Sequence, residues 1–328
     1  MSRCRRLLSI AFLVGLSACS SAPPQAAELP SPSGVDRGSE STHVVSSEAT
    51  VGVLVMAHGG QEEWDAAVRA AAAELETEVP TEVAFGMANR RTLEQGLERL
   101  RDRGVERVAV VRLFLSGSSF RDQTFYYLGL SESAPQRFMI MGPGADAADV
   151  RATIDHGLEI ASHDDGLLES RQAQAILADR ARALSHNPAT ESVLFIAHGM
   201  GDDAEDQRVL DHMVVATETL RREGFAGVQA ATLREDWPEP RAHAEEAIRS
   251  FVDTESAAGR DVLVVPARLF GFGPYADVLA DRSYRAGDGL LPHPAIAGWI
   301  RDRAASVTCA AGWGPTLRPC AVAAPDPS

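Results

Sequence analysis

The chain has 328 residues, 45% of them hydrophobic, and the length predicts two domains of about 150 residues each. Its net charge is −15 and every basic residue is arginine, so nucleic acid is a poor partner while metal cations and small ligands stay open. Without lysine there is no P-loop. Without a C-x-x-C pair there is no zinc ribbon or thioredoxin-like site, and neither G-x-S-x-G nor H-E-x-x-H occurs to support a serine hydrolase or a zincin.

Residues 1–19 read as an export signal. Arg3, Arg5 and Arg6 precede the short apolar run Leu7–Leu16, which falls below the roughly 20 residues that a bilayer span needs. The segment ends Leu16-Ser17-Ala18-Cys19, which resembles a bacterial lipobox. That resemblance implies lipidation of Cys19 and a lipid anchor in a membrane; an ordinary cleaved signal peptide is the alternative. Residues 20–49, rich in Ser, Pro, Ala and Gly, read as a disordered tether.

The stretch VGVLVMAHGG, Val51–Gly60, reads as a strand buried on both faces that ends at His58 and a glycine turn. Alanine and leucine at helical spacing follow over Gln61–Glu78. A strand is predicted over Thr81–Ala88, a helix over Thr92–Arg103, and a third strand over Val105–Phe114 that runs into the small-residue turn Leu115–Ser119. Arg137–Met141 is the candidate fourth strand. Asp146–Leu184 is expected to be helical, with His156 and His163 two turns apart on a solvated face. Strands alternating with helices predict a parallel sheet covered on both sides.

The order then repeats. SVLFIAHGMG, Ser192–Gly201, carries His198 where the first copy carries His58. A helix over Asp206–Glu223, a strand over Val228–Arg234, a helix over Pro240–Asp253 and a strand over Asp261–Phe270 follow. Both third strands end in the phrase Arg-Leu-Phe, at Arg112–Phe114 and Arg268–Phe270. Duplication is the economical explanation. The boundaries are an N-terminal lobe over 50–145, a helical connection over 146–190, a C-terminal lobe over 191–305 and a tail over 306–328. In the tail, Cys309 and Cys320 flank a Gly/Pro loop, and a disulfide between them is expected, two unpaired cysteines being the alternative.

The phrases VLVMAHGG, TEVAFGMANRRTLEQGLERL and RVAVVRLFLSG resemble the CbiX-type sirohydrochlorin chelatases, cobalto- and ferrochelatase relatives of the class II chelatase superfamily. The resemblance runs over about residues 50–300 and is strongest in the first lobe. It implies two flavodoxin- or Rossmann-like α/β lobes with a cleft where a divalent metal meets a tetrapyrrole. It also implies that His58 and its counterpart His198 contact the metal and serve the reaction. Imidazole suits that work, since it holds a divalent ion reversibly and accepts a pyrrole proton.

The chain departs from the family at two positions. Met87 stands where the family carries a glutamate, and Ser119 or Phe120 where it carries a second histidine. In the second lobe, His198, Glu235 and His293 form a candidate set for cobalt, nickel, zinc or ferrous iron, with Asp236 and His243 nearby in sequence. Two functions stay open: metal insertion into a sirohydrochlorin-type tetrapyrrole, and capture of a metal ion or tetrapyrrole without chemistry.

Overall fold

Apolar runs closed by glycines become the central strands of two parallel sheets. The computed structural model describes residues 49–140 and 150–320. The first sheet is assembled by β1 (Val51–Ala57), α1 (Glu62–Glu76), β2 (Thr81–Phe85), α2 (Arg90–Asp102), β3 (Arg107–Leu113), α3 (Arg121–Tyr127) and β4 (Glu159–Ser162). The second follows with α4 (Arg171–Leu184), β5 (Glu191–Ala197), α5 (Asp203–His212), α6 (Val214–Arg222), β6 (Gly227–Thr232), α7 (Pro238–Ala257), β7 (Asp261–Ala267), α8 (Tyr275–Val278), β8 (Arg285–Ala286) and α9 (Pro294–Ala310). Strand orders are β2-β1-β3-β4 and β6-β5-β7-β8, the same topology used twice.

Local chemistry fixes the helices. Asn89 caps α2 by accepting the Thr92 N–H, and Leu93, Leu97 and Leu100 form its buried stripe. Ser170 caps α4 and Asp202 caps α5, while Pro238 opens α7. The helix expected over Asp206–Glu223 divides into α5 and α6 at the buried Met213.

One apolar core serves both sheets. Val53, Val55, Ala109 and Val111 of the first face inward with Val193, Phe195, Leu263 and Val265 of the second, together with residues of α1, α4, α6 and α9. The last helix packs against α1, α4 and β3, burying Ile296, Trp299, Ile300 and Val307. Burying each such side chain is worth about 1.5–3 kcal/mol. The outer faces have their own cores, under α2 and α3 in one lobe and under α7 and α8 in the other.

Two sequence expectations need correction. The fourth strand is β4, not Arg137–Met141. Met139 gives its N–H to Gln123 Oε1 at 2.6 Å and its carbonyl accepts from Gln123 Nε2 at 3.0 Å, so a side chain satisfies the backbone that a ladder would have used. Within 150–184, helix forms only in α4. His156 and His163 therefore share no helix face: His156 Nε2 lies 3.3 Å from the Leu128 carbonyl, and His163 is buried against Arg112.

The expected signal with Cys19, the tether up to residue 48 and residue 141 lie outside the described residues. Among the described residues no helix is long and apolar enough to cross a membrane. Cys309 and Cys320 form a disulfide that ties the tail to the end of α9.

Candidate functional site

In each sheet the chain first steps to one side of the leading strand and then to the other. That reversal falls at the carboxyl ends of β1 and β3 and of β5 and β7, the edge at which open α/β sheets take their ligands. His58 and His198 each stand one residue past the leading strand of their sheet.

Both histidines are held alike. His58 Nδ1 lies 2.6 Å from the Gly59 carbonyl oxygen and His198 Nδ1 lies 2.9 Å from that of Gly199. A carbonyl only accepts, so Nδ1 carries the proton and Nε2 of the neutral ring keeps its lone pair. Gly59 and Gly199 turn the chain at φ 74° and 81°. An aspartate from the following helix then catches the loop: Asp65 accepts the Gly60 N–H at 2.9 Å, and Asp206 accepts the Met200 N–H at 2.8 Å.

Their surroundings differ. His58 stacks on Trp64, with centroids 5.1 Å apart and planes 11° apart, and Trp64 stacks in turn on Phe270 of the second lobe. His198 meets Trp237 edge to face, and its Nε2 lies 3.4 Å from Asp236 Oδ2. Arg234, at φ 54°, donates to the Met200 and Gly201 carbonyls and pairs with Asp203, so it clamps the His198 loop to the end of β6.

The three-residue set expected in the second lobe is not gathered. Glu235 gives its backbone N–H to the His198 carbonyl at 3.2 Å, but its Oε1 is taken by Arg268 at 2.5 Å and by the Tyr275 hydroxyl at 3.3 Å. Burial pushes the Tyr275 phenol well above its usual range, so it stays a hydrogen-bond donor. His293 caps α9 by accepting the Ala295 N–H at 3.2 Å, and its Nε2 faces Asp179 of α4 at 3.6 Å. Burial, with Arg180 adding to it, lowers the His293 pKa. Among the described residues no three His, Cys, Asp or Glu side chains form a metal cage. Asp236, next to Glu235 in sequence, is the carboxylate that faces His198.

In the first lobe, Arg112 takes over the turn after β3. It is 1% exposed and donates to the carbonyls of Gly117, Ser119 and His163. Burial lowers its pKa to about 10. Phe120 packs on Phe114 at 5.4 Å, and Met87 is half-buried, so two of the positions at which the resemblance implied ligands carry apolar groups.

Residues 52–124 match the CbiX family model. Over that stretch the chain is similar to the CbiX family. The sequence match is confined to the first lobe. No curated protein sequence matches the chain. Its fold is similar to that of SirB from Bacillus subtilis, solved with Fe3+, at a TM-score of 0.56 and 14% identity over 82% of this chain and 99% of that one. It is similar as well to DR2241 from Deinococcus radiodurans, a multi-domain protein with structural similarity to chelatases, at a TM-score of 0.50 and 20% identity over 78% of this chain and 55% of that one. At these identities the two structures speak to fold, and the chain shares its two-lobed α/β plan with them.

Proposed function

We propose that this CbiX-like protein binds a divalent metal ion at the carboxyl edge of its second lobe and presents it to a sirohydrochlorin-type tetrapyrrole in the cleft. One observation carries the reading: His198 Nε2, freed by the Gly199 carbonyl, lies 3.4 Å from Asp236 Oδ2. Two donors bound to one tetrahedral ion at about 2.0–2.2 Å are separated by about 3.4 Å. Two protein donors leave coordination positions for pyrrole nitrogens, as transfer of an ion requires. His58 keeps Nε2 for an incoming group and pairs with no carboxylate among the described residues, so it serves as a base for a pyrrole proton.

A second reading is favoured by Glu235. Its engagement with Arg268 and Tyr275 removes a donor, which suits a protein that captures a metal or a metallated tetrapyrrole without turnover. Export and a lipid anchor at Cys19 belong to the same proposal, with the folded lobes held outside the cytoplasm. The deciding experiment follows the absorbance of sirohydrochlorin with Co2+ and the full chain. Catalysed insertion that Asp236→Asn slows at least tenfold supports transfer. Metal binding with no rate above the protein-free control supports capture. Absence of both metal and tetrapyrrole binding refutes both readings.

A further inference from the structure

Arg112 and Arg268 open the same three-residue phrase but occupy different levels of their sheets. Arg112 lies opposite Met56, two residues before His58. Ala267 lies opposite Ala197, so Arg268 stands one residue past the paired strand, level with His198. A two-residue offset keeps both side chains on one face and carries Arg268 about 6.5 Å further toward the carboxyl edge. Arg112 is therefore sealed inside its lobe, whereas Arg268 reaches the cleft and meets Glu235.

That meeting removes a carboxylate from the neighbourhood of the histidine. Glu235 is joined to His198 through its backbone and adjoins Asp236, yet its Oε1 accepts from Arg268 and Tyr275. The pair is well housed, with the Glu235 side chain 13% exposed and that of Arg268 26% exposed. The guanidinium lies over the Tyr275 ring at 5.8 Å. Gly273 leaves it room, since a Cβ there would come within 2.7 Å of Arg268 Nε.

We propose that Arg268 sets how tightly the second lobe holds a divalent cation. It occupies Glu235 as an internal counter-ion, so His198 and Asp236 remain a two-donor site that gives up its ion readily. Its own positive charge, beside the site, also opposes an incoming cation. The inference rests on the reading of His198 and Asp236 as the metal contact. Removing the guanidinium frees Glu235 to act as a third donor, and three protein donors bind zinc-like ions far more firmly than two.

The test titrates Co2+ and Zn2+ into the full chain as wild type, Arg268→Gln, Arg268→Lys, Glu235→Gln and the Arg268→Gln/Glu235→Gln double variant. Circular dichroism on each sample separates lost folding from altered binding. Arg268→Gln is expected to bind at least tenfold more tightly than wild type, and the double variant to lose that gain. Arg268→Lys, which keeps the charge, is expected to stay within about twofold to threefold of wild type, and Glu235→Gln, which leaves the guanidinium without its counter-ion, to bind no more tightly than wild type. If folded Arg268→Gln binds no more tightly while wild type binds through His198, the role of Arg268 is refuted alone. Tighter binding in Glu235→Gln also refutes it, because an unpaired Arg268 guanidinium beside the site would then not oppose the cation. If wild type binds no metal, or His198→Ala changes nothing, the underlying site falls with it. Should Arg268→Gln fail to fold, Arg268→Met, which keeps most of the side-chain volume without the charge, takes its place with the same two outcomes.

Discussion

Trp64 of the first lobe stacks on Phe270 of the second at 6.1 Å, with ring planes 10° apart, and His58 lies on the same indole. The contact makes the environment of the first histidine depend on the other lobe. Together with the apolar core that spans both sheets, it ties the two lobes. A double-mutant cycle with Trp64→Leu and Phe270→Leu, read by chemical unfolding, is expected to show a coupling of about 1 kcal/mol. Additive effects would mean that the stack contributes nothing beyond burial.

His163 gives the protein a pH-dependent weakness beside the Arg112-held turn after β3. Its Nε2 accepts the Arg112 backbone N–H at 3.0 Å, which requires a neutral ring, and burial with the nearby Arg112 charge lowers its pKa to about 4. The unfolded chain binds the proton first, so this contribution is complete above pH of about 6.5 and is lost as pH falls toward 4, about 3 kcal/mol in all. Melting temperatures of wild type and His163→Gln should converge over that window. Parallel curves from pH 7 to 4 would contradict the assignment.

The Cys309–Cys320 bond closes a short loop at the end of α9, and α9 supplies inner core to both lobes. From loop closure alone, its removal is expected to cost about 2–3 kcal/mol. Reduction under native conditions should lower the melting temperature, and Cys309→Ser/Cys320→Ser should reproduce the shift without responding to reductant. A variant as stable as the oxidised wild type would show the bridge to be energetically idle.

Much of the fold is legible in the sequence because its signals are local. The runs that end at His58 and His198 are apolar enough to be central strands, and the leucine spacing of α2 announces its buried stripe. The fourth strand escaped this reading because β4 is short, Glu159–Ser162, and Arg137–Met141 has the same apolar look. What separates the two is long-range: the Gln123 amide holds Met139, while β3 pairs with β4.

The candidate site was legible only in part. Both histidines are marked by the repeated phrase, but the choice between Glu235 and Asp236 depends on where Arg268 lands, and that depends on register. The phrase Arg-Leu-Phe suggests equivalent positions for Arg112 and Arg268, yet the strands pair two residues apart. His293 drew attention by lying between two prolines in a loop, and the structure uses it as the cap of α9. Trp64 and Trp237, which contact the two histidines, carry no motif; the only local trace is a glycine nearby, Gly60 and Gly201, where a Cβ would strike each indole.

The most direct measurement is the stoichiometry and affinity of Co2+ binding to the full chain, by elemental analysis and titration, beside His198→Ala, Asp236→Asn and His58→Ala. One ion per chain is expected, with binding weakened at least tenfold by His198→Ala or Asp236→Asn and changed by less than about threefold by His58→Ala. Binding that survives both second-lobe substitutions, or that is lost only with His58→Ala, would contradict a metal contact built on His198 and Asp236.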